Sequence, residues 1–282
     1  MERKQMITKV LVVALLLTVN GQASPPVAGG LDHPRGMAFG DDGTLYVAEA
    51  GDGTNGAVTA IRDGRVRRIA AAAGPSDVTL GGDGEVYLVD GWGFRRADGR
   101  ASVRTVGEAT SVLAVERGFL VIAGGDLRRI GPRGRVQTVA TFPRRPTALA
   151  SGPDGAAYLS EGTRIWRIVP GHAPTLYADG FTDIVDLAWG DDARGDDVRG
   201  EGARESGGGR GEGGRGAGGG GGDGSLHVLQ GSGAGLVRVG ADGRHRVILG
   251  AVLTAPGGLA IRGRDAYIST GGENGAVLRV RI

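Results

Sequence analysis

The 282-residue chain contains no cysteine, which removes disulfide frameworks, thiolate metal sites and cysteine nucleophiles and leaves packing as the source of stability. Lysine is nearly as scarce, occurring only at Lys4 and Lys9. Every later cation is an arginine, and these alternate with Asp, Glu and Gly instead of gathering into a basic face, which argues against nucleic acid as a partner. The formal charge of +2 arises at the start of the chain, and beyond residue 23 the charges balance at 30 of each sign. Long apolar runs are also missing. The longest near the N-terminus, residues 10–19, is too short to cross a bilayer as a helix, so no stable membrane anchor is expected. That run follows Arg3, Lys4 and Lys9 and precedes the small residues Gly21 and Ala23. Residues 1–23 therefore read as a cleaved secretory signal, with a secreted, extracellular product.

Glycine is abundant, with 57 residues, and its placement is periodic. Residues 31–70 contain four short apolar runs separated by the turn Gly40-Asp41-Asp42-Gly43, a Gly-rich loop near residues 49–56 and the turn Asp63-Gly64. This is the pattern of four strands joined by hairpins. The equivalents of the first turn glycine, Gly43, Gly84, Gly118, Gly155, Gly224 and Gly263, are 41, 34, 37, 69 and 39 residues apart. Treating residues 192–222 as an insertion of 31 residues brings the fourth interval to 38. A period near 40 with four strands per repeat specifies an all-β, six-bladed β-propeller of four-stranded antiparallel blades. The domain spans residues 24–282, and the sixth repeat ends one strand short. Residues 25–29 stand in register to supply that outer strand and close the ring, proline being tolerated on an edge. Residues 192–222 are almost devoid of apolar side chains and are expected to form a disordered Gly/Arg/Asp-rich loop in blade five.

The first repeat carries a resemblance. Pro34-Arg35-Gly36-Met37-Ala38-Phe39, followed by Asp42-Gly43-Thr44-Leu45-Tyr46-Val47-Ala48-Glu49-Ala50-Gly51, resembles the opening blade of the ScyD/ScyE family of secreted proteins with NHL-like repeats. That resemblance implies a propeller and an export route and carries no established activity. Two enzyme groups share the scaffold. Calcium-dependent lactonases of the gluconolactonase type begin with a metal-binding Glu-Gly-Pro motif, whose glutamate falls here on Arg35, a cation that opposes a divalent ion. Quinone-dependent sugar dehydrogenases have a similar first strand and use a histidine base, whereas this chain has only His33, His172, His227 and His245.

In a propeller the first strand of each blade lines the axis. One column at its start reads Gly36, Asp77, Ser111, Thr147, Asp186 and Gly258, with Arg35 just before it. The ends of the second strands read Glu49, Asp90, Gly124, Glu161, Gln230 and Thr270. This places Arg35, Glu49, Asp77, Asp90, Glu161, Asp186 and Gln230 around one axial mouth. The functional reading is a ligand site there for an unknown small molecule or protein. No cofactor is required, calcium being the ion such oxygens would hold and Asp77 and Asp186 its ligands if any. The structural alternative is that the second-strand acids cap backbone amides of the glycine loops after them and that Asp77 pairs with Arg35. The three tryptophans, Trp92, Trp166 and Trp189, are expected to pack between blades. The sequence thus describes a monomeric exported binding or scaffold protein, with a secreted hydrolase, lyase or oxidoreductase acting at the axial mouth as the alternative.

Overall fold

The Asp-Gly turns of the sequence fold as tight hairpins, and these hairpins set the whole architecture. In the first, the Gly43 amide donates to the Gly40 carbonyl and the Gly40 amide to the Thr44 carbonyl, while the Asp42 carboxylate accepts from the Thr44 amide at 3.0 Å. Gly43 sits at φ +87, a backbone state that side chains disfavour. The same closure recurs at Gly81 with Gly84 and at Gly152 with Gly155.

A computed structural model describes residues 25–100, 108–190, 224–231, 235–240, 243–250 and 253–282, with the backbone of three short strand segments, Thr18–Val19, Gln22–Ala23 and Ser102–Val103. The expected signal at residues 1–23 and the expected loop at residues 192–222 lie outside the residues described in full. Among the described residues there are six four-stranded antiparallel sheets. Blade one consists of Pro34–Phe39, Leu45–Glu49, Ala57–Arg62 and Arg65–Ala71. The inner strands of the remaining blades are Asp77–Leu80, Ala109–Val115, Pro146–Ser151, Ile184–Gly190 and Pro256–Arg262. Their second strands are Val86–Asp90, Gly118–Ala123, Ala157–Glu161, Ser225–Gln230 and Asp265–Thr270. Among the described residues no helix is long and apolar enough to cross a membrane.

Burial follows position in the blade. Second strands are covered on both faces, as in Ser225–Gln230, where all six residues are buried. Outer strands such as Arg65–Ala71 are largely exposed. Among the described residues the apolar side chains gather into six clusters, and each cluster draws on two neighbouring blades. Leu45, Val47 and Ile61 of blade one, for instance, pack with Ala260 and Val277 of blade six. Six clusters between six sheets is the arrangement of a closed ring, in which a sheet that cannot bury both faces alone is covered by its neighbours.

The ring closes through the N-terminal segment, slightly later than the register of the sequence implied. The strand runs over Ala28–Leu31, not residues 25–29, and pairs with Gly275–Arg281, matching Ala28 to Val277 and Gly29 to Ala276. Pro25 and Pro26 precede it, and the Val27 amide donates to the Val277 carbonyl at 2.8 Å. Leu31 at the end of this strand is fully buried, which explains the shift: the last anchoring side chain is Leu31, not Val27.

Candidate functional site: the axial carboxylates

Five of the six inner strands begin with an irregularity, blade two being the exception. Pro34 pairs with Glu49 but Met37 with Val47, so one extra residue is accommodated between them. The same one-residue bulge recurs in blades three to six, and such bulges re-aim side chains at strand ends. The register places Ala148, rather than Thr147, level with Asp186, and Ala123, rather than Gly124, at the end of its second strand. The loops after the second strands lie on the same face as the inner-strand entries: the amide of Gly51 donates to the Asp32 carbonyl and that of Gly231 to the Asp183 carbonyl.

Asp77 and Asp186 face a cavity of about 380 Å³ along the axis. Its walls are mainly inner-strand apolar residues, among them Met37, Val112, Leu149 and Leu259, and it extends to Gly152, Pro153 and Trp189 at the far end of those strands. Both carboxylates are held across a blade boundary. Asp77 accepts from the Val78 amide at 2.8 Å through Oδ1, and through Oδ2 from the Ser111 hydroxyl at 2.8 Å and the Val112 amide at 2.9 Å in the next blade. Asp186 accepts from the Leu187 amide at 2.8 Å and, across the boundary with blade six, from the Leu259 amide at 2.7 Å. Gly36 explains its own identity here, since a Cβ on it would stand 2.0 Å from Asp77 Oδ1.

The two groups touch the cavity, yet protein surrounds them on every other side. Burial pushes the Asp77 carboxyl up to about 6, and the three donors only partly offset it. Asp186 is raised well above the usual carboxylate range, first by burial and then by the charge of Asp77. The pair thus forms a fixed, reluctantly ionised acidic end to the axial cavity.

The remaining sequence candidates are distributed elsewhere. Glu49 accepts from the Asp32 amide at 2.7 Å and from the Thr59 hydroxyl. Glu161, 5% exposed, accepts from the Arg144 amide and the Trp166 indole, each at 2.9 Å. Gln230 accepts from the Thr182 amide at 2.7 Å. In these three blades the side chain ending the second strand ties down an amide two residues before the inner strand, not one in the glycine loop that follows. Asp90, 2% exposed, instead accepts from the Trp92 amide at 2.9 Å and pairs with Arg95 at 2.8 Å. Arg35 is exposed and, among the described residues, makes no ion pair, with Asp77 or otherwise. It lines a separate pocket with Asp90, between blades one and two. Glu161 lines a third pocket beside Trp166.

The packing expectation holds for two tryptophans and not for the third. Trp166 lies beside Phe142 and Trp189 beside Tyr158, whereas Trp92 is 66% exposed. Nothing in its short sequence context, Gly91-Trp92-Gly93, distinguishes an outward-pointing indole from one turned into the blade.

The residues do not match the demands of a calcium ion, which takes six to eight oxygens. Among the described residues no three His, Asp or Glu side chains converge, and the axial cavity is lined by two carboxylates, Asp77 and Asp186.

No family model and no curated protein matches the chain. Solved structures do match, and they share the fold. A gluconolactonase from Xanthomonas campestris superposes with a TM-score of 0.62 at 17% identity, over 90% of this chain and 88% of that one. An auxiliary nutrient binding protein from Bacteroides thetaiotaomicron gives 0.63 at 7% identity, over 89% and 70%. Regucalcin from Agrobacterium tumefaciens, a calcium-binding protein, gives 0.59 at 12% identity, over 88% and 90%. The chain is a six-bladed β-propeller of the kind these proteins adopt.

Proposed function

We propose that this protein is an exported propeller of the ScyD/ScyE type that acts by binding, and that the axial cavity takes a small cationic ligand such as an ammonium group. The observation that carries this reading is the pair Asp77 and Asp186 at one end of an axial cavity of about 380 Å³, whose lining mixes apolar side chains with Thr79 and Ser151. Both carboxylates are fixed by backbone donors before any ligand arrives, so little ordering remains to oppose binding. An incoming cation would favour the ionised form that burial disfavours. Export would follow from residues 1–23, and the mature N-terminus is expected at Ser24.

An enzyme acting at the same mouth is the alternative. It has the support of a gluconolactonase as a structural neighbour, but Arg35 opposes a metal where a glutamate would be needed. Thermal melting separates the two. Under the binding reading a small alkylammonium such as butylamine raises the Tm beyond the effect of sodium chloride at equal ionic strength, and Asp186→Asn removes the increment; calcium leaves the melt unchanged. A calcium-dependent rise in Tm, with none from the amine, would replace the binding reading with the metal-enzyme one, since any ligand selective for the folded state must stabilise it.

A further inference from the structure

A second feature stands apart from the axial cavity, at the junction of blades one and two. Two pockets of about 370 and 490 Å³ adjoin there and share Ala73. Trp92 borders the first and is the most exposed large apolar side chain among the described residues, at 66%. Its loop is firmly built: the buried Asp90 carboxylate accepts from the Trp92 amide at 2.9 Å and binds Arg95 at 2.8 Å. Arg95 in turn donates to the Ala71 carbonyl at 2.7 Å. An indole held outward on a braced turn offers a flat apolar surface at small cost in ordering.

Two arginines beside it lack a carboxylate partner. Arg68 lines the pocket with Trp92 and donates only to backbone carbonyls, those of Asn55 and Gly56. Arg35 lines the other pocket. Neither has a carboxylate partner among the described residues. Of the acids nearby, Asp90 is paired with Arg95 and Glu108 with Arg145 at 2.8 Å, while Asp52 is turned into its own loop, accepting from Thr54 and Asn55.

We propose that this junction binds an acidic saccharide, a chain of uronate rings, with the indole of Trp92 stacked on the C–H face of one ring and Arg68 and Arg35 meeting carboxylates of successive rings. An aromatic platform flanked by two guanidinium groups without carboxylate partners, spread over two adjoining pockets, fits an elongated ligand that alternates a flat ring with a carboxylate, because guanidinium recognises carboxylate in a planar, two-point geometry. This site is independent of the axial carboxylates and needs no metal.

The test is isothermal titration of the mature chain with oligogalacturonate, followed in parallel by tryptophan fluorescence, with a neutral oligosaccharide of equal length as the comparison. The expected result is binding of the acidic oligomer with quenching of the emission, and weakening of roughly ten-fold in Trp92→Ala and in Arg68→Gln. Both residues are exposed, and unchanged melting curves would establish that the variants fold. Failure of oligogalacturonate to bind, equal affinity for the neutral oligomer, or binding unaltered in both variants would each overturn the proposal. None of these results bears on butylamine binding at Asp186, so the two sites stand or fall separately.

Discussion

At the scale of single residues, Gly36 and the two axial aspartates form one unit. A methyl group at position 36 would overlap the Asp77 carboxylate, and Asp77 is pinned by donors from its own blade and the next. Gly36→Ala is therefore expected to lose roughly 3 kcal/mol of stability, read as a lower urea midpoint, whereas Gly29→Ala, with open space around its Cβ, should leave the midpoint within experimental error. The aspartates also set a pH dependence. An unfolded aspartate titrates near 3.8 and folded Asp77 near 6, so the folded state holds more protons between those values and stability falls as pH rises through that window. The raised Asp186 acts in the same sense. The Tm should be several degrees higher at pH 5 than at pH 7.5, and Asp77→Asn combined with Asp186→Asn should flatten the difference; a Tm that climbs over this range would contradict the assignment. The identity of these two residues was legible in the sequence, because an acid at an axial position interrupts a column of small residues. Their partners were not, because a backbone amide in the next blade has no sequence signature.

At the scale of strands, the second-strand ends are small structural clamps. Glu161→Ala would strip partners from the Arg144 amide and the Trp166 indole, and unfilled buried donors cost about 2–3 kcal/mol together. Denaturant unfolding of this variant should show that loss, and Gln at the same position should recover part of it. Period and turn glycines were enough to mark the strands, since a tight turn at positive φ requires Gly at a fixed place. The one-residue bulges at the inner-strand entries were hidden. They arise from pairing between strands, and only that pairing shows that Ala148 and Ala123 stand where a count along the sequence puts Thr147 and Gly124. Glu49, Glu161 and Gln230 lie away from the axial cavity and hold amides of the entry loops.

At the scale of the whole molecule, stability rests on neighbours pressing together, with one apolar cluster at each blade boundary. The insertion is expected to be dispensable to this arrangement. Gly190 pairs with Ser225 across the strand ends it connects, so replacing residues 192–222 by a short turn should leave the Tm within about 2 °C; a large drop would assign those residues a structural role. Ring closure was legible because the sixth repeat ends a strand short while a surplus strand precedes the first. It also supplies the most direct test. Ala28 and Val277 are register partners joining the two ends of the chain, and the protein has no cysteine of its own. In the Ala28→Cys, Val277→Cys variant, oxidation should consume both thiols within one molecule and raise the Tm. Two thiols that remain free to alkylation in the folded, oxidised protein would contradict closure of the ring by the N-terminal strand.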